Sequence, residues 1–166
     1  FSDTLDIIRA YIYSNLKEES KIPKWIVNGN FENTRLLFPT IPLVNFIYSK
    51  VLITKKEYVK VVVLYEKSIA MAKIFPNLIC EVFENIHIAI AYDNLSKRKD
   101  AVEKLEKALE IALSDRLYMI FAENYTDIED LLDEKYDEVA VIGDAVAPRK
   151  ILTAIHEGYH AIRVME

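Results

Sequence analysis

Three glycines and five prolines in 166 residues leave this chain few places to turn sharply. A β-sandwich or barrel needs many tight turns, and those draw on glycine and proline for backbone conformations that other residues resist. Between the scarce breakers run long stretches rich in Leu, Ile, Ala, Glu and Lys. That combination predicts an all-α fold.

The apolar spacing divides the chain. Phe1 to about Lys17 carries Leu5, Ile8, Ile12 and Leu16 at helical intervals, with Ile7 and Tyr11 beside them and Ser2 or Asp3 to cap the start. Residues 20–42 are less regular, with short helices expected around Trp25 and over Asn33–Leu37. A helix follows over Leu43–Leu52. Thr54-Lys55-Lys56-Glu57 has the form of a capping box, opening a helix that runs to about Ile74 and stops at Phe75-Pro76. Asn77–Leu95 and Asp100–Leu113 read as the next two helices. The second carries a stripe of Val102, Leu105, Leu109 and Ala112 and acid-first pairs at Asp100/Lys104 and Glu103/Lys107. Ser114–Lys135 suggests a shorter helix pair, 136–148 a loop, and Lys150–Met165 a last helix.

Consecutive helices joined by short turns call for a search for repeats. With Val82 as first position, Ala89 takes the small site of a tetratricopeptide first helix and Tyr92 its aromatic site. Ala101, Leu105 and Ala108 take the three sites of the second helix. Small residues let two helix backbones approach. Aligning Lys56-Glu57-Tyr58 with Lys99-Asp100-Ala101 gives a degenerate preceding unit with Tyr58, Val62 and Tyr65 at those sites, 43 residues away. The expected architecture is antiparallel helix pairs stacked as a tetratricopeptide-like α-α superhelix over residues 1–135, with 136–166 a C-terminal loop and helix. The competing reading is a helical bundle without a repeat.

Several peptides in order resemble one family. Ile22-Pro23-Lys24-Trp25-Ile26, Leu36-Leu37-Phe38-Pro39, Phe75-Pro76-Asn77-Leu78 and Ala89-Ile90-Ala91-Tyr92-Asp93-Asn94-Leu95 are similar to segments of large LuxR-type transcriptional regulators, the subclass that includes the maltose-regulon activator. So is Leu105 to Leu113 followed by Leu117-Tyr118-Met119 and Phe121-Ala122-Glu123-Asn124. The resemblance covers about residues 22–132. It implies a sensor or coupling repeat region between an ATPase and a DNA-binding domain, neither of which this chain contains. No Gly-x-x-x-x-Gly-Lys-Ser/Thr loop and no basic helix-turn-helix is present.

Charge and cysteine use narrow the function further. A net charge of −5 is unsuited to direct nucleic-acid binding, which neutralises phosphates with Lys and Arg. The single cysteine, Cys80, excludes an internal disulfide framework and a cysteine-rich zinc site. No apolar run approaches the ~20 residues of a membrane span, and no signal peptide is visible, so a cytoplasmic location is expected. In tetratricopeptide geometry the inward positions are Phe83, Ile86, Ile90, Asp93 and Asn94, preceded by Leu43, Ile47, Lys50 and Val51. Lys50, Asp93 and Asn94 are the polar candidates for holding a small effector or a protein partner on a concave face. No cofactor is expected, and an oligomer is compatible with the sequence.

One motif points elsewhere. His156-Glu157-Gly158-Tyr159-His160 is H-E-x-x-H, in which two histidines one helical turn apart can share a zinc ion while the glutamate activates a bound water. Glu166 is the candidate third ligand, but Arg163 stands where the extended pattern needs a turning glycine. A zinc metallopeptidase is therefore the alternative to a non-catalytic binding segment. A packed or solvated terminal helix accounts for the same residues. The acidic group Glu123, Asp127, Glu129, Asp130, Asp133 and Glu134 lacks calcium-loop spacing and reads as a solvated helix face.

Overall fold

The computed structural model describes residues 2–31, 36, 40–74 and 77–135, and no strand occurs among them. The helices are α1 (Ser2–Asn15), α2 (Lys24–Val27), α3 (Ile41–Thr54), α4 (Tyr58–Ile74), α5 (Leu78–Asn94), α6 (Arg98–Asp115) and α7 (Met119–Lys135), with a 3-10 turn at Glu19–Lys21. The fold is all-α. The chain divides into two compact units, Phe1–Leu117 and Tyr118–Glu166. The expected short helix at 33–37, the stop at Phe75-Pro76 and the loop and helix beyond residue 135 lie outside the described residues.

The first unit is organised around α5, whose residues Val82 to Ala91 are buried without interruption. A helix apolar on nearly every side is stable only when neighbours cover it all round. Here α3 and α4 cover part of it and α6 packs on it most extensively. Asn77 starts the helix by accepting a hydrogen bond from the Cys80 N–H at 3.2 Å, satisfying one of the free donors of the first turn. By contrast α6 buries one face, with Ala101, Leu105, Ala108 and Ala112 all at or below 2% exposure. Val102 and Leu109 of the expected stripe flank that face, half-buried.

Four helix ends share one backbone device. Lys17, Lys56, Ser96 and Arg116 adopt the left-handed conformation, with φ between 56° and 60°. In each case the next residue donates to the carbonyl five positions back: Glu18 to Tyr13, Glu57 to Leu52, Lys97 to Tyr92 and Leu117 to Ala112, at 2.8–2.9 Å. This closure satisfies carbonyls that the helix leaves free and reverses the chain within three residues. Glycine usually takes the left-handed position, so its absence at all four hid the turns from sequence inspection.

The turns fix an internal register. Lys17, Lys56 and Ser96 are 39 and 40 residues apart. Carried into the helices, that spacing superposes Ala10, Ser49 and Ala89, each at or below 1% exposure. In the second helices it superposes Val61, Tyr65 and Ser68 on Ala101, Leu105 and Ala108, all buried. The 43-residue alignment is thereby corrected. Tyr58 and Val62, which it placed at helix sites, are only half-buried. The capping box is corrected as well. Thr54 is still inside α3, and its hydroxyl donates to the Lys50 carbonyl at 3.0 Å and the Ser14 carbonyl at 3.3 Å. Glu57 is held between Lys55 and Lys60 instead, which keeps its carboxyl below the usual range.

The irregular stretch between α1 and α3 is held by side chains. The Trp25 indole N–H donates to Asp6 at 2.9 Å, and Phe31 sits edge-on to both Trp25 and Tyr48. Gly29 has φ of +66°, and any β-carbon there would run into the Tyr48 hydroxyl.

The second unit contains α7. It is one uninterrupted helix rather than the expected pair, because Met119–Lys135 contains neither glycine nor proline. Ile120, Asn124, Ile128, Leu131 and Leu132 form its buried side, and Asn124 donates back to the Ile120 carbonyl at 2.8 Å. Glu123, Glu129, Asp130 and Asp133 are exposed, and among the described residues no three acidic, histidine or cysteine groups converge as a metal site.

Candidate functional site

The six residues expected to face a ligand separate into two environments. Lys50, Phe83, Ile86 and Ile90 are in the core, each at or below 6% exposure. Phe83 stacks on Phe46 at 4.4 Å between ring centroids and meets Tyr11 edge-on at 6.4 Å. Asp93 and Asn94 are at the surface, at the C-terminal end of α5. Asp93 pairs with Arg98 at 2.7 Å across the α5–α6 turn, and Asn94 donates to the Ile90 carbonyl at 2.9 Å. His156, Glu157, His160 and Glu166 lie outside the described residues.

What the structure assembles instead is a buried polar zone where α3, α4 and α5 meet. α5 contributes Glu84, Asn85 and His87, each at or below 2% exposure, α4 contributes Tyr65 and Ser68, and α3 contributes Ser49 and Lys50. One part of it is satisfied. The Tyr65 hydroxyl donates to Asn85 Oδ1 at 2.9 Å, and Asn85 Nδ2 donates to the Glu81 carbonyl at 2.8 Å. The other part is not. Ser49 Oγ, Ser68 Oγ, Glu84 Oε1 and both ring nitrogens of His87 have no hydrogen-bond partner among the described residues. An unpaired buried polar group costs about 1–3 kcal/mol, so natural cores hold few of them.

The same burial sets the protonation states. Removal from water pushes the Glu84 carboxyl up to about 8, and the Ser68 hydroxyl nearby offsets this slightly without closing a hydrogen bond. Glu84 is therefore mostly a neutral acid near pH 7. His87 is driven well below its ordinary 6.5 by burial and then by the Lys50 charge, and stays neutral. Cys80, also buried, is raised to about 12 by burial and by Glu84, so it supplies no thiolate. Tyr65 is raised to about 12 for the same first reason. The zone holds protons and hydrogen-bonding capacity, but it offers no activated nucleophile.

At the surface, an open depression of about 260 Å³ lies between the α3–α4 turn and the α5–α6 turn, lined by Lys56, Glu57, Tyr58, Val59, Lys60 and Leu95. It is shallow and its central acid is already paired with lysines.

The sequence reading singled out neither Glu84 nor the two serines. The signal was present as Glu-Asn-Ile-His inside an otherwise apolar helix. Ser49 and Ser68 had no signal until the 40-residue register set them beside Ala89 and Ala108. No protein-family model, no curated protein and no solved structure matches this chain.

Proposed function

We propose that this chain is a non-catalytic helical repeat segment, a tetratricopeptide-like superhelix of a LuxR-type transcriptional regulator. It holds an effector or protein partner and couples that binding to attached ATPase and DNA-binding domains, in the cytoplasm. The observation that carries the repeat part is the recurrence, at 39 and 40 residues, of the same left-handed turn and the same small buried residue, Ala10, Ser49 and Ala89. Repeat stacks present extended surfaces assembled from many units, which suits them to recognition rather than to bond-making. The buried polar zone adds no competing chemistry, since its thiol is protonated and its acid and imidazole are shut from solvent.

Asp93, half-buried and paired with Arg98, and the exposed Asn94 are the polar groups at the surface of the proposed binding face, whereas Lys50 is buried. The regulator part rests on the ordered resemblance of residues 22–132. It is tested by the natural reading frame, which is expected to encode a Gly-x-x-x-x-Gly-Lys-Ser/Thr loop ahead of this segment and a helix-turn-helix after it. A frame with neither removes the regulator assignment and leaves the repeat intact. The chain alone is expected to give no specific DNA gel shift at physiological salt.

A further inference from the structure

The face of α1 that carries Leu5, Ile8 and Ile12, together with Leu16 just past its end, is 47–60% exposed at every one of those positions. The helix turns Ile7, Ala10 and Ser14 inward instead. Four large apolar side chains in a row at helical spacing do not remain bare without consequence. The internal register shows what this stripe corresponds to. Counting 39 residues on, Leu5, Ile8 and Ile12 stand at Val44, Ile47 and Val51 of α3, and 40 residues further at Glu84, His87 and Ala91 of α5. All six of those residues are buried. In α5 this is the side toward the preceding helices, since Glu84 lies near Ser68 of α4 and His87 feels Lys50 of α3. The same side of α1 is the one that a preceding helix pair would cover.

We infer that the Leu5–Leu16 stripe is the docking face for one more helix pair of the same build, located ahead of Phe1 in the same polypeptide. This rests on the repeat reading above. The register makes the stripe a continuation of interfaces that α3 and α5 already form. Area argues against a second copy as occupant. The four side chains expose roughly 400 Å², well short of the ~800 Å² per partner that a stable association buries. A helix pair joined by a short turn pays no association entropy and needs far less surface. Its chemistry follows from the stripe: an apolar helix side, since the neighbouring Arg9 is already paired with Asp6 at 3.5 Å.

The test is thiol accessibility at Ile12→Cys, with labelling by a maleimide. Cys80 is buried and protonated and does not compete. In the 166-residue chain the new thiol is expected to react as fast as a free cysteine. In the complete polypeptide from the natural frame it is expected to react at least about tenfold slower. Ile8→Glu in the complete polypeptide should lower the melting temperature by about 4 °C or more, and leave the 166-residue chain unchanged. Fast labelling in the complete polypeptide, or a frame with no room for two helices ahead of Phe1, overturns the inference. Slow labelling in the 166-residue chain at every concentration assigns the stripe to the chain's own residues. Slowing that grows with concentration assigns it to a second copy. Either result overturns the inference too. The repeat reading fails separately, on whether Ala89 and Ala108 tolerate enlargement.

Discussion

The α3–α4 and α5–α6 pairs share a backbone and differ in what they bury. Both close through a left-handed residue, Lys56 or Ser96, with matching hydrogen bonds. At positions 40 residues apart, α5–α6 buries Ala89 and Ala108 where α3–α4 buries Ser49 and Ser68. Alanine meets the steric demand of a close crossing and asks for nothing else. Serine fits the same space but brings a hydroxyl, and both hydroxyls are unpartnered among the described residues. The two pairs thus bury residues of the same small size at these positions and differ in polarity, so the second pair leaves fewer polar groups to satisfy.

The largest expected effect breaks the alanine pair. Ala108→Leu should destabilise the chain by about 1–3 kcal/mol through overpacking, read as a loss in thermal or urea unfolding. An unchanged melt would show that α6 does not use Ala108 at its crossing. Next is the polar joint on α5. Folded Glu84, held near 8, binds more protons than unfolded Glu84 at its ordinary 4.5, so stability falls as pH rises through that window. Folded His87 binds fewer than an unfolded histidine below 6.5, so its contribution falls as pH drops. Between 4.5 and 6.5 the two slopes oppose. From 6.5 to 8 only the Glu84 loss remains, about 2 kcal/mol over that interval. Glu84→Gln should flatten the pH dependence there, while Ala108→Leu should shift the whole curve without changing its slope.

A smaller effect sharpens the shared turn. Ser96→Gly and Lys56→Gly should each stabilise by about 1 kcal/mol, because glycine adopts positive φ without steric cost. Equal gains at both positions would support the common register, and a gain at one alone would separate the two turns. The smallest expected effect concerns His156 and His160. Purified without added metal, the chain should hold no stoichiometric zinc and show no chelator-sensitive cleavage. One zinc lost in His160→Ala, with cleavage abolished in Glu157→Gln, would make the alternative reading the right one.

Much of the fold was legible because helical spacing is a strong signal over long segments. α5 and α6 were placed within two residues, since Asn77 caps one and Ala101, Leu105, Ala108 and Ala112 repeat along the other. Three features were not legible. The turns use lysine, serine and arginine in a conformation that their side chains do not advertise. Thr54 offered a capping motif, but tertiary packing on Ser14 kept it inside α3. Aligning Lys56-Glu57-Tyr58 by residue similarity misplaced the register by three, where the backbone turn sets it at 40. The candidate site was less legible than the fold. Inward-facing positions on a tetratricopeptide template became core at Phe83, Ile86 and Ile90, where α3 packs on α5 and the rings of Phe46 and Tyr11 meet Phe83.

Those aromatic contacts bear on how the first unit comes apart. Tyr11 on α1 reaches both Phe46 on α3 and Phe83 on α5, at 6.1 and 6.4 Å between centroids. In a stack where each unit touches only its neighbours, the ends can fray while the middle holds, and unfolding proceeds like a zipper. A ring on α1 that meets both α3 and α5 ties together helices far apart in the chain. Loosening α1 then uncovers one edge of Phe83 in α5, so a disturbance at the start of the chain is expected to be felt at the centre of this unit.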